Sequence, residues 1–142
     1  MTKIDFYVVS PNNRGNRYQL ACRVADKAYR QGHRVVIHVS TEDEARHLDR
    51  LLWTFNEQSF VPHARIGKGD ATINPVLIGD VQTAEEEHDV LINLAPEVPL
   101  CFARFQRLAE CVDNEPGIRE ASRERYRFYR DRGYPLALHE IG

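Results

Sequence analysis

Apolar runs alternate with amphipathic stretches along the first part of the chain. Residues 4–10 and 34–39 are apolar at nearly every position, which is typical of strands covered by helices on both faces. Thr41 and Glu44 form a possible capping box before the second amphipathic stretch. Two sets of apolar residues recur at spacings of three and four and predict two amphipathic helices. The first set, which ends near Gly32, is Leu20, Ala21, Val24, Ala25 and Ala28. The second set is Ala45, Leu48, Leu51, Leu52 and Phe55.

The second part of the chain repeats the alternation less regularly. Residues 61–66 and 75–78 predict short strands, and residues 90–94 predict a strand more clearly. A helix beginning at Pro116 and ending near Gly133 is expected, followed by a last strand at residues 136–139. A further amphipathic helix is predicted from the spacing of Phe102, Phe105, Leu108, Ala109 and Val112.

Strands separated by helices of this length are most economically parallel, with right-handed crossovers. We therefore predict an α/β fold, with a Rossmann-like open, mostly parallel sheet and helices on both faces. A length of 142 residues is the usual size of one domain, so residues 1–142 are expected to form a single α/β domain.

Composition narrows the functional class. Nineteen Lys and Arg residues against twenty-one Asp and Glu residues give a net charge of −2, so direct nucleic-acid binding would need a local basic patch. Three cysteines without a Cys-x-x-Cys pair favour neither a disulfide framework nor a zinc site. With neither an export signal nor an apolar run of membrane-spanning length, we expect a cytoplasmic protein without membrane contact.

The sequence offers little for catalysis. The loop after the first predicted strand contains only Gly15, so the glycine pattern that admits a pyrophosphate is missing. The six histidines show no metal-binding spacing, and no acid, base and nucleophile come together. We expect no catalytic residue, metal or cofactor; a nucleotide-dependent enzyme on a Rossmann-like fold remains the alternative.

Two stretches indicate binding. On a helical projection of the last helix, arginines share a strip with one tyrosine, within about 60° of each other: Arg119, Arg123, Tyr126 and Arg130, with Arg127 at the edge. This strip is either a solvated arginine face or an anion site for a peptide terminus or a nucleic-acid single strand. The second stretch, residues 51–63, gathers Trp53, Phe55 and Phe60, either to close the core or to form an interface.

Taken together, these segments resemble the DNA polymerase III chi subunit family. The similarity rests on Leu52-Trp53, on the run from Ser59 to His63, and on Arg123-Glu124-Arg125-Tyr126 with Tyr129-Arg130, in this order and across essentially the whole chain. It implies a noncatalytic replication subunit that bridges the psi subunit of the clamp loader and the C-terminal tail of single-stranded-DNA-binding protein, without binding nucleic acid directly.

The resemblance also implies where the two partners bind. The tail site corresponds to Val112, Arg119, Arg123 and Tyr126, and the rest of the basic strip extends it to Arg127 and Arg130. The psi surface corresponds to Trp53 and Phe60, with Val61 and Pro62 around them, and in this family the same surface can serve a helicase partner. A nucleotide-dependent enzyme and a direct single-strand binder remain the competing hypotheses.

Overall fold

The computed structural model describes residues 1–142. It contains seven strands and three α-helices, which we label in chain order. The strands are β1 (Lys3–Val9), β2 (Val35–His38), β3 (His63–Arg65), β4 (Val76–Gly79), β5 (Val90–Asn93), β6 (Arg107–Val112) and β7 (Leu136–Ile141). The helices are α1 (Arg17–Arg30), α2 (Glu42–Thr54) and α3 (Pro116–Asp131). No helix is long and apolar enough to cross a bilayer.

All seven strands form one open sheet in the order β3-β4-β2-β5-β6-β1-β7. Every neighbouring pair is parallel. The predicted Rossmann-like α/β class is therefore confirmed. β3 and β7 are the two edges of the sheet, at opposite sides of the molecule.

Helices cover both faces of the sheet, as the apolar strand runs predicted. The face beneath α1 and α2 carries the larger core, which includes Leu20, Ala25, Leu48 and Leu52. The opposite face packs against α3 and buries Phe6, Phe102, Phe105 and Tyr129 among others. Since β1 contributes alternate side chains to both cores, its position fixes α3 relative to the rest of the sheet.

The local signals at the helix ends are found in the structure. The backbone N–H of Glu44 donates to the Thr41 hydroxyl at 3.2 Å, as expected at the start of α2. Gly32 follows α1 with a φ of 88°, a conformation that side chains with a Cβ rarely adopt. The predicted end of α1 and start of α2 thus follow from capping chemistry, and α3 begins at Pro116 as predicted, without a side-chain cap.

The predicted helix through residues 102–112 is wrong. Residues Phe102–Arg104 make a single 3₁₀ turn, and Arg107–Val112 form β6, between β5 and β1. Five consecutive residues of β6, from 108 to 112, are buried, which a strand covered on both faces allows and an amphipathic helix does not. The helical spacing of Phe102, Phe105, Leu108, Ala109 and Val112 arises because these residues belong to two different elements, the 3₁₀ turn with its following residue and β6, that bury them in the same region of the chain.

Glu110 is fully buried and is held by three polar side chains. Arg125 Nε donates to Oε1 at 3.0 Å, Tyr129 Oη donates to Oε2 at 2.7 Å, and Asn93 Nδ2 lies within 3.1 Å of both oxygens. Arg125 also donates to the Pro96 carbonyl oxygen at 2.8 Å. Burial raises the pKa of Glu110, and the Arg125 charge opposes that shift. This network ties α3 to the centre of the sheet.

Candidate functional site

A cleft of about 450 Å³ lies between α3 and the β1–β7 side of the sheet. Its walls come from three elements: α3 on one side, β7 on the other, and the end of β1 with the following loop beneath. We call it the α3–β7 cleft. It is lined by Phe6, Val8, Val9, Ser10, Pro11, Arg119, Ser122, Arg123, Tyr126, Leu138 and Glu140.

The floor of the α3–β7 cleft is apolar. Tyr126 packs edge-on against Phe6, with ring centroids 5.2 Å apart, and thereby keeps its ring at the cleft wall. Leu138 lines the same cleft from β7 and is 68% exposed, so its side chain is accessible to a ligand. An apolar side chain of a partner would find a preformed contact surface here.

Two arginines of α3 line the cleft without pairing with a carboxylate. Arg119 donates from Nη2 to the Val9 carbonyl oxygen at 2.7 Å and from Nε to the Asp113 carbonyl oxygen at 3.1 Å, so neutral acceptors fix its position. Arg123 is exposed and makes no side-chain hydrogen bond or ion pair. Both positive charges are therefore available to an anionic ligand.

The other arginines of α3 have carboxylate partners. Arg125 pairs with Glu110 in the core, Arg127 pairs with Glu124 at 2.6 Å, and Arg130 pairs with Asp131 at 3.2 Å. Arg127 and Arg130 also lie outside the cleft. The structure thus brings Arg119, Arg123 and Tyr126 together and leaves the other two members of the predicted strip elsewhere.

Val112, the remaining residue of the predicted tail site, is fully buried at the end of β6. It packs in the core beneath α3, with Tyr126 partly buried against the same cluster. Val112 therefore shapes the site from below and cannot itself touch a partner in this conformation. The sequence analysis had placed Val112 on a predicted helix, whereas it ends the buried strand β6.

The structure adds eight lining residues that the sequence analysis did not propose, and four of them come from two neighbouring strands. Phe6 and Val8 come from β1, and Leu138 and Glu140 come from β7. They could have been found only by knowing that β7 pairs with β1, where Phe6 lies opposite Leu138 and Val8 opposite Glu140. The predicted last strand carried no information on its partner.

A second candidate surface lies at the other edge of the sheet, where α2 packs beside β3. Trp53 and Phe60 are 57% and 64% exposed, with ring centroids 5.6 Å apart. Trp53 also packs against the His63 ring, with ring centroids 4.7 Å apart. Two hydrogen bonds hold that imidazole in place: Nδ1 lies 2.6 Å from the Val61 carbonyl oxygen, and Nε2 lies 2.9 Å from the Asp49 carbonyl oxygen. We call Trp53 and Phe60 the aromatic pair.

The two other residues predicted for this surface differ in accessibility. Pro62 is half-buried beside the aromatic pair, whereas Val61 is 1% exposed and belongs to the core beneath α2. Val61 therefore anchors the segment that carries Phe60 and does not contact solvent. Adjacent exposed aromatic rings are common at protein interfaces. Phe55, the third aromatic residue of this stretch, instead packs against the core beneath α2.

The crevice where a Rossmann-like fold commonly binds a nucleotide is occupied by the protein's own side chains. It lies at the carboxyl ends of β1 and β6, whose connections continue on opposite faces of the sheet. There Arg17 pairs with Asp113 at 3.1 Å and with Glu115 at 2.9 Å. Arg17 and Asp113 are largely buried, so a pyrophosphate at this crevice would face the Asp113 carboxylate and would have to separate it from Arg17.

Comparison with known proteins gives a consistent family. Residues 1–137 match the family model described as DNA polymerase III chi subunit, HolC. The chain is 43% identical over 141 residues to the DNA polymerase III subunit chi of Pseudomonas aeruginosa, covering 99% of this chain and 98% of that protein. It is 34% identical over 119 residues to the subunit of the same name from Escherichia coli, covering 83% and 81% of the two chains.

A related fold occurs in a solved structure of T4 UvsW. The TM-score is 0.70 at 6% sequence identity, over 99% of this chain. The similarity spans only 41% of the UvsW chain. At this identity the match shows a shared fold and carries no functional argument.

Proposed function

This chain belongs to the DNA polymerase III chi subunit family, and we propose that it is a noncatalytic accessory subunit of the clamp loader in the cytoplasm. In this role it bridges the psi subunit and the C-terminal tail of single-stranded-DNA-binding protein during replication. The α3–β7 cleft receives the tail, and the aromatic pair receives psi.

One observation carries the tail assignment: Arg119 and Arg123 lack carboxylate partners and stand beside an apolar floor. A tail that is acidic and ends in an apolar residue with a free carboxylate matches both features. Guanidinium groups bind carboxylates through charge-assisted hydrogen bonds, and Tyr126, Phe6 and Leu138 provide the contact for the last side chain.

Tail binding through exposed arginines is expected to be sensitive to salt. Exposed charges are screened over about 10 Å at 0.1 M ionic strength, so the arginine contribution falls as salt rises. A single tail contact of this kind has modest affinity. Several tails on one oligomeric partner would raise the effective concentration and hold the complex together.

The arrangement of the two surfaces supports a bridging role. The aromatic pair lies near edge strand β3 on the α2 face, whereas the α3–β7 cleft lies at edge strand β7 on the α3 face. Partners at opposite edges and faces do not compete for space. A helicase partner that used the aromatic pair would, in contrast, compete with psi.

Binding to coated and naked DNA tests the proposed function. The chain should associate with single-stranded DNA coated by single-stranded-DNA-binding protein and show little association with the same oligonucleotide alone. Removing the C-terminal tail of the coating protein should abolish the association. Equal retention on naked DNA would instead support a direct single-strand binder.

Replacing Phe60 with alanine should weaken psi association by roughly tenfold or more, because truncating an aromatic hot-spot residue of an interface costs about 2 kcal/mol or more, and about 1.4 kcal/mol corresponds to tenfold. Folding should be little affected, since the Phe60 ring is mostly exposed. Calorimetric titration with psi measures the loss. Leu100→Ala is the matched control, because Leu100 is 85% exposed and lies outside both surfaces. Loss of tail binding with intact psi binding in Phe60→Ala would reverse the assignment.

A further inference from the structure

Glu140 is the one acidic residue that lines the α3–β7 cleft. It is exposed and has no cationic side chain within ion-pair distance. An unpaired carboxylate is unexpected in a site built to receive an anion, because like charges at short range oppose binding. Its position therefore calls for a physical explanation.

The register of the sheet places Glu140 on the wall opposite the two arginines. On β7, Glu140 follows Leu138 by two residues, so both side chains point to the same face of the sheet. Glu140 is paired with Val8 of β1, and Arg119 of α3 donates to the carbonyl oxygen of the next residue, Val9. The cleft thus has cations on its helix wall and an anion on its strand wall.

This division of charge suits some anions and not others. A peptide can direct its carboxylates toward α3 and present an uncharged side to β7. A nucleic-acid strand carries a phosphate at every nucleotide and has no uncharged stretch of backbone to place beside Glu140. The apolar floor formed by Phe6, Val8 and Leu138 likewise contacts an apolar side chain and offers no phosphate contact.

We propose that Glu140 is a specificity-determining residue of the α3–β7 cleft, which disfavours single-stranded nucleic acid while an acidic peptide tail still binds. The proposal rests on the proposed function for the identity of the preferred ligand. It explains how a cleft with two unpaired arginines can work beside DNA without being occupied by it. The carboxylate lowers affinity for both anions, and more strongly for the one that cannot avoid it.

The test compares wild type, Glu140→Gln and Glu120→Gln, using fluorescence anisotropy with a labelled oligothymidylate and, separately, a labelled acidic peptide ending in phenylalanine. Glu120 is exposed on α3 and outside the cleft, so its replacement changes the net charge equally. At low salt, Glu140→Gln should raise oligonucleotide affinity about fivefold or more and peptide affinity about twofold. For Glu140→Gln, the slope of log oligonucleotide affinity against log salt concentration should steepen by about 0.7, as for one additional phosphate contact.

Three results would overturn the proposal. Oligonucleotide affinity could stay unchanged in Glu140→Gln, or it could rise equally in Glu120→Gln. Alternatively, Glu140→Gln could raise the affinity for the peptide by as large a factor as the affinity for the oligonucleotide. Failure of the proposed function would look different, because wild type would then not bind the peptide at all. Peptide binding by wild type without any oligonucleotide gain in Glu140→Gln would refute only the role of Glu140.

Discussion

Arg123→Ala should weaken binding of the single-stranded-DNA-binding-protein tail by about tenfold or more while leaving the melting temperature unchanged. A charge-assisted hydrogen bond contributes about 1.5–3 kcal/mol, and Arg123 has no partner within the protein that its removal would strand. Tyr126→Ala should also weaken tail binding, and it should lower the melting temperature somewhat because Tyr126 packs on Phe6. Calorimetry with a tail peptide measures both changes.

Arg127→Ala provides the matched control for Arg123→Ala. It removes the same charge from the same helix, at a residue that pairs with Glu124 outside the cleft. If the cleft is the site, Arg127→Ala should change tail affinity by less than about twofold at moderate salt, where exposed charges outside the contact are largely screened. Equal losses in the two variants would show that the tail responds to net charge and that the cleft has no particular role.

Arg125→Leu should destabilise the protein by about 3–5 kcal/mol, because it leaves Glu110 buried without its cation. For a chain of this size the melting temperature should fall by roughly 10 °C or more. Thermal and urea unfolding measure the change. The double variant Glu110→Leu with Arg125→Leu should lose less free energy of unfolding than Arg125→Leu alone, because it contains no uncompensated buried charge. A loss below about 1 kcal/mol in Arg125→Leu would mean that the pair does not hold α3 in place.

The destabilisation of Arg125→Leu should depend on pH in a defined direction. Burial raises the pKa of Glu110, and removing Arg125 takes away the charge that opposes the shift. An acid whose pKa is higher in the folded state stabilises most below its unfolded pKa, and that stability is lost as pH rises through the folded pKa. The difference in free energy of unfolding between wild type and Arg125→Leu should therefore be smallest in mild acid and grow toward neutral pH. A pH-independent difference would contradict a buried, ionising Glu110.

Local sequence signals were sufficient for most of the fold. Apolar runs identified β1, β2 and β5, and capping residues such as Thr41 and Gly32 marked the helix ends, since these features depend on near neighbours along the chain. β6 was missed because Glu110 lies in the middle of a buried run. Its burial is possible only through Arg125, Tyr129 and Asn93, which are distant in sequence.

The candidate site was less predictable than the fold. Helical geometry placed Arg119, Arg123 and Tyr126 on one strip, because all three belong to one helix. The same geometry could not distinguish Arg127 and Arg130, whose carboxylate partners and distance from the cleft depend on packing. The β7 wall, with Leu138 and Glu140, depends on strand order, which no local pattern encodes.

Calorimetric titration of the chain with two peptides tests the tail assignment most directly. Both peptides carry the same acidic sequence ending in phenylalanine, one with a free terminal carboxylate and one with a terminal amide. Binding at the α3–β7 cleft predicts that amidation weakens affinity by about tenfold or more, and by much less in Arg123→Ala. Equal affinity of wild type for the two peptides would contradict recognition of a chain terminus by the arginines of this cleft.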